Sequence, residues 1–381
     1  MRIAYFNANL RRGQDGVTRV MYKMFQGAIE RNVEAMAFTS TLPEDEDMIL
    51  PIVRVPSVVL PFQKNYRLAV PWYRIFERRL NHFSPDLIHL NSPCTLGYAA
   101  LQYARSYGVP VVATYHTHFP TYPRYYNLAP LEEMTWKITR AFYNAMNRTF
   151  VPTQPILEEL REQHVERLEY LANGVDLGLF TPVRRSSAWR ARIAPDNRPI
   201  ILFVSRLVWE KDLRILAEAY RILRERGSTF SMVVVGDGHA RSEFEQMMPG
   251  AHFLGYQSGT TLAESYASSD IFVFPSTTET FGLVTIEAMA SGLVPVAAKI
   301  GGAAGILEEG QSGLFARPLD AHDLARQVQR LLDNPAERSA ISAKAIQRAQ
   351  LYSWDRILQQ LFSSYEEVIR QHVVRTRQRA A

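Results

Sequence analysis

Cysteine is nearly absent from this sequence: Cys94 is the only one in 381 residues. A single thiol excludes an internal disulfide framework and fits a reducing, cytoplasmic compartment. No Cys or His spacing of the metal-holding kind occurs, because His116 and His118 are two apart with no matching pair elsewhere. No apolar run approaches the ~18 residues that a membrane-spanning helix needs. The first residues, Arg2-Ile3-Ala4-Tyr5-Phe6, run straight into Asn7 and read as a strand, not a signal peptide. Nucleic-acid motifs are missing, and a formal charge of +5 on this length is modest, so nucleic acid is not an expected partner. Repeats and low-complexity tracts are also lacking.

What is present is ordinary in bulk, 47% hydrophobic and 21% charged, and long enough for two cores. Short apolar runs alternate with helical periodicity, predicting strands near 2–6, 33–38, 86–90, 110–114 and 148–151, with helices at 17–31, 66–82, 96–107 and 131–147. The same alternation restarts with strands near 199–204, 230–235, 252–254, 271–274 and 294–298, and its helices begin at 212, 241, 261, 283, 321 and 336. This is the grammar of α/β folds with parallel sheets. The expected organisation is one Rossmann-like α/β domain at 1–182, an Arg-, Ser- and Pro-rich linker at 183–198, and a second Rossmann-like α/β domain at 199–353. A final helix at 354–381 is expected to return to the first domain. Two such halves imply a cleft between them.

The most informative stretch is Glu279-Thr280-Phe281-Gly282-Leu283-Val284-Thr285-Ile286-Glu287, directly after the apolar run Ile271-Phe272-Val273-Phe274-Pro275. A strand-to-helix turn in an open α/β sheet lies where ligands bind. Gly282 allows close backbone approach, and the N–H groups of the helix start attract oxygen-rich ligands. Glu279 and Glu287 offer two sets of acceptors, which suits a ligand with two sets of hydroxyls, such as a sugar and a ribose. The plain alternative is an N-terminal acid serving the helix dipole and a second, solvated one.

Ser205-Arg206-Leu207 follows the first strand of the second half, and Glu210-Lys211-Asp212 opens the next helix. Helix N-termini disfavour cations, so Arg206 and Lys211 gathered there suggest a diphosphate between them. Pairing with Glu210 and Asp212 is the structural alternative. Gly236-x-Gly238-x-x-Arg241 lacks the third glycine of a dinucleotide fingerprint, which argues against a Rossmann oxidoreductase. The loop from Arg12 to Arg19, with Gly13 and Gly16, could bring backbone N–H groups to a phosphate or be only a turn. The loop Tyr115-His116-Thr117-His118-Phe119-Pro120-Thr121-Tyr122-Pro123-Arg124-Tyr125-Tyr126 is dense in groups that stack on and hydrogen-bond sugars and headgroups. From 61 to 82 five basic residues, among them Arg67, Arg74 and Arg78, stand against one acid and are interleaved with aromatics including Trp72. A helix of that kind fits an anionic membrane surface, or else packs its aromatic face on the sheet.

Taken in order along the chain, these motifs resemble the retaining glycosyltransferases of family 4, which have the GT-B fold of two Rossmann-like domains facing across a cleft. The resemblance also runs through Asp15-Gly16-Val17, Asn173-Gly174-Val175-Asp176 with Phe180, Gly236-Asp237-Gly238, Glu287 to Val296, and Tyr352-Ser353-Trp354. It implies that Arg206 and Lys211 neutralise the departing diphosphate. It also implies that Glu279 with Phe281, Gly282 and Leu283 holds the donor sugar, Glu287 the ribose, and Gly16 the phosphates. His116 would lie near the reacting carbon, giving a catalytic set of His116, Arg206, Lys211 and Glu279. The Asp15 position departs from the two glycines of many members, which weakens phosphate contact there. The loop with Tyr115, His118, Tyr122 and Arg124 is similar to that of the sulfolipid-synthase and diacylglycerol mannosyltransferase-like branch, where it would meet the acceptor. The implied activity is transfer of a hexose from a UDP- or GDP-linked donor to diacylglycerol or a glycosyl-diacylglycerol. No metal or other cofactor is expected, and the enzyme would be cytoplasmic, touching the inner face of a membrane through Arg67, Trp72, Arg74 and Arg78. A family 4 enzyme acting on soluble sugars, a nucleotide-sugar 2-epimerase and a non-catalytic nucleotide binder are the competing readings.

Overall fold

The structure, a computed structural model, describes residues 1–10, 16–42, 48–60, 63–121 and 129–380. It divides into two compact units, Met1–Ala172 with Ile357–Ala381, and Asn173–Arg356.

The first unit carries strands β1 (Arg2–Phe6), β2 (Glu34–Thr39), β3 (Ile52–Arg54), β4 (Ser57–Leu60), β5 (Gln63–Ala69), β6 (Leu87–Leu90), β7 (Val111–Thr114), β8 (Arg148–Val151) and β9 (Leu168–Tyr170). Seven of them form one sheet in the order β3-β2-β1-β6-β7-β8-β9, with every pairing parallel. Every residue of β6 and β7 is buried, as expected for strands covered by helices on both faces. The chain order reverses at β1, which lies between β2 and β6, so the loops leaving β1, β6 and β7 gather at one sheet edge. The helix Trp354–Ala380 packs its Leu361 and Tyr365, both fully buried, into this unit. Arg148 in β8 ties the helix to the sheet, pairing with Glu367 of the helix at 2.8 Å and with Glu169 of β9 at 2.9 Å.

The second unit has β10 (Ile200–Val204), β11 (Ser231–Val235), β12 (His252–Phe253), β13 (Ile271–Phe274), β14 (Val294–Ala298) and β15 (Leu314–Ala316). All pairings are parallel, in the order β12-β11-β10-β13-β14-β15. Its reversal falls between β10 and β13.

Two readings of the sequence are corrected here. The expected helix at 66–82 is shorter, Arg74–Phe83, because 63–69 is β5, paired antiparallel with β4 in a two-stranded hairpin. Pro71 keeps Val70 out of the helical region and separates the two elements. The expected linker at 183–198 is folded: Pro182–Arg184 forms a 3-10 turn and Ser187–Ile193 a helix with Trp189 buried. Arg190 donates to Asp270 at 2.9 Å and Arg185 pairs with the same carboxylate at 3.0 Å, which fastens the segment to the second unit. The short strands β3, β9 and β15 and the helices Gln154–Glu162 and Gly301–Ile306 were not anticipated either.

Candidate active site

The loops after β10 and β13 are neighbours because their strands pair, although their residues lie almost 70 positions apart. Lys211 ends a 3-10 turn, Trp209–Lys211, and is 9% exposed. Burying an ammonium requires a partner, and its Nζ donates to a carboxylate oxygen of Glu279 and, at 3.4 Å, to Thr278 Oγ1. Neither Glu210 nor Asp212 serves as that partner. Asp212 instead reaches across the same pair of loops: its Oδ2 accepts from both the backbone N–H and the hydroxyl of Thr277 at 2.8 Å. Thr278 in turn donates to the Glu210 carbonyl at 3.1 Å. Asp212 makes these bonds from a left-handed backbone, φ +55°, uncommon for a residue with a Cβ. Desolvation is the main influence on its carboxyl and raises its pKa above the ordinary value. Arg206, on the same β10 loop, is exposed, and its side chain makes no hydrogen bond or ion pair among the described residues.

Beyond Glu279 the chain turns at Gly282, φ +87°, which caps the helix Leu283–Ala290. Two further glycines support the loop from behind: Gly302 N–H donates to the Glu279 carbonyl at 2.8 Å, and a Cβ on Gly301 would sit 2.5 Å from that oxygen. Phe281 is buried and packs edge-on against Tyr352. Glu287 is not a solvated acid. It is 2% exposed and accepts a hydrogen bond from the fully buried Tyr266 hydroxyl at 3.1 Å.

In the first unit, His116 follows β7 and its Nε2 lies 3.1 Å from Asn91 Oδ1, at the end of β6. Burial lowers the His116 pKa from 6.5 to about 4. Behind it, His89 is completely buried between the Tyr365 hydroxyl and Thr114 Oγ1, and burial lowers its pKa to about 3. Tyr115, expected to meet an acceptor, is a core residue: it is 1% exposed, its ring lies against Tyr143, and its hydroxyl is 2.9 Å from His118 Nδ1. His118 also faces Glu159 at 3.3 Å and the Trp136 ring, so its side chain is engaged inside the unit. Gly16 is exposed at the start of the helix Gly16–Glu30. The rest of its loop, residues 11–15, lies outside the described residues, as do Tyr122 and Arg124.

The basic and aromatic stretch divides by burial. Trp72 is 55% exposed and Arg74 and Arg78 are exposed, whereas Phe76 is 1% exposed and packs between Phe6 and Phe38. Arg67 lies in β5 and donates to Ser57 Oγ at 2.8 Å and to the Ser57 carbonyl at 2.9 Å. Among the described residues no group of three His, Cys, Asp or Glu could hold a metal, and no helix is long and apolar enough to cross a membrane. The sequence's one Asp-x-Asp triplet, Asp45-Glu46-Asp47, lies outside the described residues.

Sequence inspection missed Asp212, Thr277, Tyr266 and Asn91. Asp212 alone carried a local signal, since it adjoins the Glu210-Lys211 pair.

Residues 14–179 match the family profile "Glycosyltransferase Family 4" and residues 186–348 match "Glycosyl transferases group 1". With two doubly wound parallel-sheet units and these matches, the chain belongs to the family 4 glycosyltransferases of GT-B fold. It is similar to a GDP-mannose-dependent alpha-mannosyltransferase of Mycobacterium tuberculosis, with 34% identity over 93% of this chain and 93% of the relative. A sulfoquinovosyl transferase of Arabidopsis thaliana is 35% identical over 71% of this chain and 54% of its own length. Among solved structures, a sucrose-phosphate synthase from Thermosynechococcus elongatus superposes with TM-score 0.81 at 20% identity, covering 97% of this chain and 99% of the other. Anabaena HepE in complex with UDP gives 0.79 at 19% identity, covering 96% and 100%.

Proposed function

We propose that this glycosyltransferase moves a hexosyl group from a UDP- or GDP-linked donor to a lipid acceptor, such as diacylglycerol or a glycosyl-diacylglycerol, with retention and without a metal. The observation that carries the reading is the cluster after β10 and β13, where exposed Arg206 and the Lys211–Glu279 pair sit at the reversal of strand order. Ligands bind at such reversals in open α/β sheets. A buried ammonium already paired with a carboxylate is pre-positioned, so an arriving diphosphate shares Lys211 and leaves Glu279 to accept from hydroxyls of the donor sugar. The N–H groups at the start of Leu283–Ala290 face the same ligand, and Glu287 takes the ribose. Gly16 is assigned to the phosphates and His116 to the neighbourhood of the reacting carbon.

In the reaction, the bond from C1 to the phosphate oxygen breaks and its electrons stay on the diphosphate. The acceptor oxygen bonds to C1 from the same face, and its proton passes to the departing phosphate. Arg206 and Lys211 stabilise the charge that develops there, so the rate comes from positioning and electrostatics. The relatives' names, mannosyl transfer from GDP-mannose and sulfoquinovosyl transfer, support a hexosyl donor. Exposed Trp72, Arg74 and Arg78 support approach to an anionic bilayer.

The test is a transfer assay with GDP-mannose and a panel of UDP- and GDP-hexoses against diacylglycerol vesicles, glycosyl-diacylglycerol vesicles and soluble sugars. Product on lipid, unaffected by EDTA, is expected. Efficient product only on soluble sugars removes the lipid acceptor. Conversion of donor with no acceptor present points to the epimerase, and binding without turnover to a nucleotide-binding protein.

A further inference from the structure

The helix Trp354–Ala380 outruns the unit that it packs on. Val368, 2% exposed, is its last buried side chain among the described residues, and His372 Nε2 donates to the Gly108 carbonyl at 2.8 Å. Beyond that bond Val373, Val374, Arg375 and Thr376 are all exposed. Four consecutive residues go right round a helix, so no side of this turn is covered. Most helical stability in proteins comes from the packing of one face, and this end has no such packing. Its composition is one-sided as well: positions 368–380 hold Arg370, Arg375, Arg377 and Arg379 and no acid. Cations near a helix C-terminus suit its dipole, but the dipole gives no reason for Val373 and Val374 to stand in solvent, at 43% and 50% exposure. The bond to Gly108 sets this end beside the last turn of the helix Thr95–Tyr107, where Arg105 and Tyr107 are exposed.

We infer that this helix end is a bilayer contact of its own, in which Val373 and Val374 enter the headgroup layer and the arginines meet anionic lipid. Four arginines within ten residues form the kind of basic cluster that an anionic leaflet attracts. The exposure pattern favours a lipid layer over an acidic protein. Exposed Arg370 and Arg375 are five positions apart, which puts them on different sides of the helix. A protein groove takes one face of a helix, whereas a headgroup layer entered by the helix end surrounds it. Tyr107 beside it joins an apolar ring to a polar tip, as interfacial residues do. The contact is separate from the one proposed through Trp72, Arg74 and Arg78, and it holds whichever acceptor the enzyme uses.

The test places an environment-sensitive fluorophore on Val374→Cys in a Cys94→Ser background and adds phosphatidylcholine–phosphatidylglycerol vesicles at low salt. Serine keeps the helix cap that Cys94 offers to the Gly97 N–H. A blue shift is expected, absent with pure phosphatidylcholine and reversed by salt. In the unlabelled full chain, Arg375→Glu/Arg379→Glu should weaken co-sedimentation with the anionic vesicles about tenfold or more. Both positions lie beyond Val368, so Tm should stay as it is. Absence of the shift, or unchanged co-sedimentation in that variant, overturns the inference. A shift with polyglutamate but not with vesicles overturns it in favour of an acidic protein partner. Binding lost only in Arg74→Glu/Arg78→Glu also overturns it, and leaves the Trp72 surface standing. Transfer to diacylglycerol in non-ionic detergent, where no bilayer is present, scores the acceptor by itself, so failure of the acceptor reading and failure of this contact are distinguishable.

Discussion

Lys211 and Arg206, both expected to meet a diphosphate, differ in burial. Lys211 is held in the protein against Glu279, whereas Arg206 is solvated. Either change to Ala is expected to lower turnover by about 10²–10³, the usual effect of deleting one preorganised stabilising group. Only Lys211→Ala should also lower Tm, because it leaves the Glu279 carboxylate without its counter-charge. Near-wild-type turnover in both variants would remove the diphosphate assignment. The two glutamates separate likewise. Glu279→Ala should act on kcat, since contacts to the reacting sugar change during the reaction. Glu287→Ala should act on donor KM and also cost about 1–3 kcal/mol of stability by removing the carboxylate that accepts from the buried Tyr266 hydroxyl. Equal loss of nucleotide-diphosphate affinity in the two variants, measured by calorimetry, would contradict the division.

At the scale of the element, the β4–β5 hairpin and the helix Arg74–Phe83 replace the single amphipathic helix expected from sequence. Residues opposite one another in an antiparallel pair share a face. Val58 and Leu68 are such a pair, and both are exposed, at 63% and 39%, whereas Ala69 on the other face is buried. Exposed Val70 and Trp72 lead from this apolar face to Arg74 and Arg78. Binding to anionic vesicles, measured by co-sedimentation, should fall with rising salt and fall again in Arg74→Glu/Arg78→Glu and in Trp72→Ala. Phe76→Ala should behave differently, losing about 3–5 kcal/mol of stability in a denaturant titration, because Phe76 is a core side chain. Loss of vesicle binding in a stably folded Phe76→Ala protein would restore the helical reading. Absence of binding at low salt would remove this surface from membrane contact.

At the scale of the whole molecule, the chain closes on itself: Tyr365, near its end, meets His89 in β6, which Thr114 holds from the other side. Both His89 and His116 have folded-state pKa values below the ordinary 6.5, at about 3 and about 4, chiefly through burial. Between 6.5 and those values the unfolded chain takes up protons that the folded chain refuses. Their contribution to stability is therefore complete above pH 6.5 and is lost as the pH falls towards 4. A Tm series from pH 7.5 to pH 4.5 should decline, and His89→Asn should decline less relative to its own value at pH 7.5. Identical slopes in the two proteins would show that His89 takes up its proton without unfolding.

The parallel α/β class, two cores and the strands of each sheet centre were legible because each rests on short-range pattern, and Arg206, Lys211, Glu279 and Glu287 stand out as candidates on the same kind of pattern. Apolar runs of strand length mark buried strands, and cations at a helix start conflict with the dipole unless something anionic is near. Strand order is different in kind. That β10 lies beside β13 and β1 beside β6 depends on which apolar surfaces pack together, and no spacing along the chain encodes it. The pairing decided that Lys211 would meet Glu279 and not its neighbour Glu210, and that Asn91 would meet His116 across 25 positions. It also decided which aromatics of the basic stretch are buried, leaving Trp72 in solvent and Phe76 in the core. Burial and hydrogen-bond partnership are properties of the packed chain, so Asn91 beside His116, Asp212 bonded to Thr277 and Tyr266 beside Glu287 became visible only once it was folded.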